Sequence, residues 1–121
     1  MNIDKKYYQE INENLTNTIQ DTNISAPNKK VGKVRDAYFL NDKVVMISTD
    51  RQSAFDRVLA AIPYKGAVLN SVSAWWFKKT EHLFPNHLIS TPDPNVSIVE
   101  KCTVFPVEFV VRGYITGTTD T

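Results

Sequence analysis

The sequence predicts an α+β fold, an antiparallel β-sheet with one or two covering helices. Three observations lead there. Between residues 29 and 49, two runs rich in β-branched and aromatic residues flank the polar pair Asn41-Asp42, the pattern of a β-hairpin. Two other segments, one near the N-terminus and one in mid-chain, repeat apolar residues at helical rather than alternating spacing. A further apolar run, 107–111, follows Pro106, and a strand tolerates proline at its first residue.

The totals narrow the function classes. A chain of 121 residues with 42% hydrophobic content is one domain by length and can bury a core. Its 14 basic and 13 acidic side chains leave a net charge of +1. That is no general basic field for nucleic acid or an anionic membrane, so any anion site must be local. Cys102 is the single cysteine, which excludes an internal disulfide and a thiolate metal cluster and suits a reducing compartment. A buried, inert thiol is expected. His82 and His87 lack partners at ligand spacing, so no metal site is expected from these residues. No apolar run approaches the ~18 residues of a membrane span, and the opening residues lack a signal peptide's apolar core. The expectation is a cytoplasmic protein.

Taken in order, Tyr8, Ile11, Leu15 and Ile19 recur at helical spacing and predict an amphipathic helix over 4–20. Residues 23–28, with Pro27, read as a connector. The division expected is therefore a helix and connector over 1–28 and the main domain over 29–121. The hairpin pairs 29–40 with 43–49. Strand alternation puts Val31, Lys33, Arg35 and Ala37 on one face, with the two cations roughly 7 Å apart. Such a pair can grip a polyphosphate at two points while Gly32 admits close backbone approach. Equally, it can lie on a solvated sheet face. The Gly-x-x-x-x-Gly-Lys-Ser/Thr phosphate loop is absent.

Residues 44–47 are apolar without alternation, as in a strand covered on both faces. The polar cluster 48–56 then leaves the end of that strand, where scaffolds place chemistry. Asp50, Arg51, Ser53 and Asp56 either bind a substrate or cap the helix or turn that follows. Residues 63–66 read as a turn, and Asn70-Ser71 as caps for a helix that stops before Pro85. Val72, Trp75, Trp76 and Leu83 form its apolar face, which predicts a buried tryptophan. Residues 87–90 suggest a short strand, 91–95 a loop, and 96–103 a weakly alternating strand. The final run, 107–111, is a buried strand in outline, from whose end Arg112 emerges beside a loop of Gly113, Gly117 and several threonines. Arginine with a Gly/Thr loop suits a phosphate or carboxylate ligand, although strand-end arginines also form structural ion pairs.

In order and content, Gly32-Lys-Val-Arg-Asp36, Thr49-Asp-Arg-Gln-Ser-Ala-Phe-Asp56, Lys65-Gly-Ala-Val-Leu69, Ser73-Ala-Trp-Trp-Phe77 and Pro106-Val-Glu-Phe-Val-Val-Arg-Gly-Tyr-Ile-Thr-Gly-Thr118 resemble the N-terminal half of the SAICAR synthase family. These are phosphoribosylaminoimidazole-succinocarboxamide synthases of purine biosynthesis. The likeness covers residues 29–121, and the block from Pro106 is its most specific part. It implies a domain like the small lobe of protein kinases and an ATP-dependent ligase. That ligase joins L-aspartate to the carboxylate of carboxyaminoimidazole ribonucleotide through an acyl phosphate, giving SAICAR, ADP and phosphate.

By that resemblance Lys33 and Arg35 match the ATP phosphate loop, and Lys101 and Val104 the adenine pocket. Arg112, Gly117 and Thr118 match the ribonucleotide site, where the family more often has serine and Thr118 keeps the hydroxyl. Asp50, Ser53 and Asp56 match a further motif, taken here as substrate-binding. The resemblance also implies Mg²⁺ beside ATP, with its ligands in a second half that lies beyond these residues, so the chain alone is expected to be inactive. An exposed sheet edge would offer self-association. The alternative is a free-standing nucleotide-binding module without catalysis of its own.

Overall fold

In chain order the elements are α1 (Lys5–Glu13), β1 (Lys29–Val31), β2 (Arg35–Phe39), β3 (Lys43–Ser48), β4 (Arg51–Ala54), β5 (Arg57–Ala61), α2 (Lys65–Thr80), β6 (Leu88–Asp93) and β7 (Val96–Glu100). They are seen in a computed structural model that describes residues 5–114. Five strands form an antiparallel sheet in the order β1-β2-β3-β7-β6, while β4 and β5 make a separate hairpin. The α+β expectation is met, and the hairpin around Asn41-Asp42 is the β2–β3 pair.

Register decides what each face carries. Phe39 lies opposite Val44, and Val44 opposite Val99, so these share one face with Met46 and Ser97. Helix α2 covers that face, with the Ser97 hydroxyl donating to Asn70 Oδ1 at 2.7 Å and Asn70 Nδ2 to the Pro94 carbonyl at 3.0 Å. The opposite face carries Asp36, Tyr38 and Ile47. There the connector lies against the sheet, the Tyr38 hydroxyl donating to the Thr22 carbonyl at 2.8 Å.

Several elements differ from expectation, each for a physical reason. Helix α1 ends at Glu13 rather than near residue 20. Asn14 Nδ2 donates back to the Glu10 carbonyl and Asn17 Nδ2 to Asn14 Oδ1, the local bonding by which asparagine competes with helix. The stretch 29–40 is two strands, because Gly32 donates to the Arg35 carbonyl at 2.8 Å and reverses the chain. A Cβ on Gly32 would stand 2.7 Å from that carbonyl oxygen, so the turn needs glycine. Lys33 therefore sits on a turn and does not share a strand face with Arg35.

The polar cluster supplies strand β4, closed to β5 through Phe55 and Asp56, both at positive φ, as two-residue type I′ turns require. Strand β6 runs through Pro92, tolerated because β6 is an edge. Helix α2 begins at Lys65 rather than at Asn70, and it turns Gly66, Asn70 and Ala74 toward the sheet. Trp75 and Trp76, expected in the core, are each 56% exposed and meet edge to face at 4.8 Å. At its first turn the helix backbone lies against the end of β3, where a Cβ on Gly66 would already collide with the Ser48 carbonyl oxygen.

Residues 107–111 are not a strand: they are exposed, with Phe109 at 82% and Val111 at 96%. Among the described residues no strand lies beside them to pair with. Cys102 is likewise exposed rather than buried. Among the described residues, no helix is long and apolar enough to cross a membrane.

Candidate nucleotide-binding site

The β1–β2 turn raises Lys33 to its crest, with Arg35 exposed where β2 begins. Its shape is set from within. Thr49 donates to the Val34 carbonyl twice, through its backbone N at 3.0 Å and its hydroxyl at 2.8 Å. The Arg51 guanidinium donates to the Lys33 carbonyl at 3.2 Å, the Gly32 carbonyl at 3.0 Å and the Gln20 carbonyl at 2.6 Å. The carbonyl oxygens of Gly32, Lys33 and Val34 thus point inward. Their negative ends face the protein, and the outer side of the turn presents a lysine.

Beneath the turn, Arg51 is paired with Asp36 at 2.6 Å, and Asp36 is fully buried. The Thr22 hydroxyl donates to the other Asp36 oxygen at 2.6 Å, and Lys29 stands 3.3 Å from it. Lys29 also bonds Asp21 at 2.8 Å and lies 5.8 Å from the Tyr38 ring centroid. Among the described residues, no buried side-chain nitrogen or oxygen lacks a partner, the condition under which a buried polar network stabilises.

Burial pushes the Asp36 carboxyl up, but hydrogen bonds from Arg51, Thr22 and Lys29 outweigh it and hold the group below its ordinary 3.8. The ionised form therefore stabilises the fold. Its contribution is complete above 3.8 and is lost as pH falls through the lowered folded value. Lys29 is raised from 10.5 to about 12, first by its hydrogen bond to Asp21; its contribution is complete below 10.5 and is lost as pH rises from there through about 12. Urea midpoints are expected to lose this stabilisation only below 3.8 on the acid side. If Asp36→Asn left the acid limb unchanged, the loss would have to come from other carboxylates.

Asp56, on the β4–β5 turn, forms an ion pair with Lys33, both side chains exposed. The Lys33 hydrogen bond holds the Asp56 carboxyl below its ordinary value. An anion arriving at the crest competes with Asp56 for Lys33. Asp50 has a different setting. One oxygen accepts from Ile19 N at 2.8 Å and the other from Gly66 N at 2.9 Å, so it ties the connector to the start of α2. Favourable charge at a helix N-terminus explains how α2 begins without a local side-chain cap. Ser53 lies half-buried on β4, opposite Val58.

Lys101 lies at the other end of the sheet from Lys33, its backbone N donating to the Asp42 carbonyl at 3.0 Å. The two ends are separated by the length of β2, roughly 13 Å at ~3.3 Å per residue. An open cleft of about 430 Å³ borders Lys101 beside Pro27, Asn28, Phe39 and Leu40. Val104 is exposed just beyond. Arg112 is exposed, and no hydrogen bond or ion pair among the described residues joins it to the other candidates. Gly117 and Thr118 lie outside the described residues. Arg51 and Asp36 were the less legible pair. The available signal was strand alternation, which places Asp36 with Tyr38 on the face away from Arg35.

The sequence model of the SAICAR synthetase family matches residues 28–121. A phosphoribosylaminoimidazole-succinocarboxamide synthase of Legionella pneumophila (strain Lens) is 60% identical over 103 residues, 85% of this chain and 33% of that protein. A chloroplastic synthase of the same name from Arabidopsis thaliana is 56% identical over 116 residues, covering 92% of this chain and 28% of that protein. The chain thus spans about a third of the length of these curated relatives. Among solved structures, the SAICAR synthase of Saccharomyces cerevisiae complexed with SAICAR superposes with a TM-score of 0.74 at 31% identity, over 82% of this chain and 42% of that one. A type-2 SAICAR synthetase in complex with ADP superposes at 0.59 with 30% identity, over 65% of this chain and 35% of that one. Sequence and fold agree over the turn, the sheet and the covering helix: the chain belongs to the SAICAR synthetase family.

Proposed function

We propose that this chain carries the ATP-binding part of a purine-biosynthesis ligase. The complete enzyme joins L-aspartate to the carboxylate of carboxyaminoimidazole ribonucleotide, giving SAICAR, ADP and phosphate. The observation that carries the reading is the Gly32–Val34 turn, which keeps its carbonyl oxygens inward and Lys33 outward beside Arg35. A cationic crest on a glycine turn suits phosphate, and ADP in the complex of a family structure supports the ligand class.

In this reading Lys33 and Arg35 hold the phosphates, while Lys101 and Val104 border the adenine at the far end of the sheet. An extended nucleoside triphosphate spans such a separation. Transfer of the terminal phosphoryl group to the substrate carboxylate makes an acyl phosphate. The aspartate amine then attacks the acyl carbon, forming the amide and releasing phosphate. The chain's part is to bind and orient the donor, since phosphoryl transfer depends on positioning and charge stabilisation.

Arg112, Gly117 and Thr118 are proposed for the ribonucleotide, with Ser53 and Asp56 at its border and Asp50 as scaffold. Mg²⁺ would accompany ATP. Among the described residues no three metal-ligating side chains are gathered, and Asp36, Asp50 and Asp56 are engaged with protein partners. These residues do not form a magnesium site, and no step is assigned to the ion. A cytoplasmic location, with small molecules rather than nucleic acid as partners, completes the reading; self-association through the open edges β1 and β6 is the remaining proposal.

Titration of the chain with ATP tests the reading. Lys33→Ala is expected to weaken binding by about tenfold, as loss of a charge-assisted phosphate contact does. Undiminished affinity in a folded variant would remove the turn from the site.

A further inference from the structure

We propose that Arg51 is the positioning residue of the phosphate site, holding the Gly32 and Lys33 carbonyls inward so that the turn offers a cation, not carbonyl oxygen, to a polyphosphate. The proposal rests on the reading of this turn as phosphate-facing.

The geometry uses the whole guanidinium. Nε and Nη2 take the Lys33 and Gly32 carbonyls, Nη2 also takes Asp36, and Nη1 takes Gln20. A planar fork makes these bonds together, which a lysine ammonium on a flexible stem cannot. The fork's orientation is fixed in turn, because the Thr22 hydroxyl and Lys29 hold Asp36. Arg51's own carbonyl accepts from Lys65 Nζ at 2.9 Å, which ties its backbone to the first turn of α2. Thr49 does for Val34 what Arg51 does for its two predecessors. With the fork gone, the Gly32 and Lys33 oxygens are free to turn outward, where their dipoles oppose a phosphate at short range.

The test compares the chain with Arg51→Lys and Lys33→Ala. Each is titrated with ADP, inorganic tripolyphosphate and adenosine, and each is checked by thermal unfolding. Arg51→Lys keeps a charge beside Asp36 but loses the fork. It is expected to weaken ADP and tripolyphosphate by about tenfold or more while leaving adenosine unchanged, a selectivity that general loosening of the fold does not produce.

Parallel loss of all three ligands, or unchanged tripolyphosphate affinity, overturns the positioning role. If Lys33→Ala loses phosphate affinity and folded Arg51→Lys does not, the phosphate site stands and only the positioning role fails. If Lys33→Ala changes neither phosphate ligand, the reading of the turn fails and the positioning role goes with it. Should Arg51→Lys not fold, Asp36→Asn keeps a hydrogen-bonding side chain against the fork but removes the charge that orients it. A smaller loss confined to the phosphate ligands is then expected, and no loss overturns the proposal.

Discussion

Asp36→Ala is expected to lower folding stability by about 3–5 kcal/mol, the usual cost of removing one partner from a buried ion pair. The carboxylate is fully buried and Arg51 is 8% exposed, so truncation leaves a guanidinium without its counter-charge where water cannot replace it. The Thr22 hydroxyl loses one of its two partners in the same step, keeping the Tyr38 hydroxyl at 2.9 Å. The loss should reach beyond one strand, because Arg51 also holds Gln20 of the connector and the Gly32 turn. Urea unfolding measures it directly. A loss below about 1 kcal/mol, the range of surface pairs, would mean that the three carbonyls alone satisfy Arg51.

Gly66→Val should cost about 3 kcal/mol, the upper range for overpacking a tight interface. A Cβ at this position would lie 2.3 Å from the Ser48 carbonyl oxygen and 2.6 Å from Asn95 Nδ2. The backbone atom cannot yield as a flexible side chain would. Helix α2 would have to lift from the end of β3, which strains the bond from Gly66 N to Asp50 and the contacts of Asn70 with β7 and its preceding turn. Thermal unfolding of the variant against the parent chain tests this, and an unchanged midpoint would contradict the close approach.

Local patterns were legible where local chemistry decided the structure. Asn41-Asp42 marked a hairpin because turn residues stood between two apolar runs, and the sheet with its covering helix followed from the two periodicities. The failures share a different cause. Helix α2 begins at Lys65 because a carboxylate from residue 50 meets its first turn, and no local residue announces that. The tryptophans are exposed because the helix approaches the sheet through Gly66, Asn70 and Ala74, a packing choice that composition hides. Residues 107–111 read as a strand by residue type, yet a strand also needs a neighbour, and none of the described residues supplies one.

The site followed the same division. Lys33 and Arg35 were singled out by their charge and the adjacent Gly32, but the strand face they were expected to share does not exist, because Gly32 reverses the chain between them. Arg51 was visible only as one polar residue in a cluster. Its partner lies 15 residues earlier, and pairings across that distance depend on which strands meet. Asp50 stood as either a ligand residue or a cap, and the geometry places it at a helix start.

Nucleotide phosphate bound on the outer side of the Gly32–Val34 turn would perturb the backbone amides there, and shifts of the ¹⁵N-labelled chain during titration with ADP report it. The largest changes are expected at Gly32, Lys33 and Arg35, with a second group near Lys101 where the adenine would lie. Saturable binding with changes confined to the cleft between α2 and β6, around Trp75 and Phe77, would contradict it.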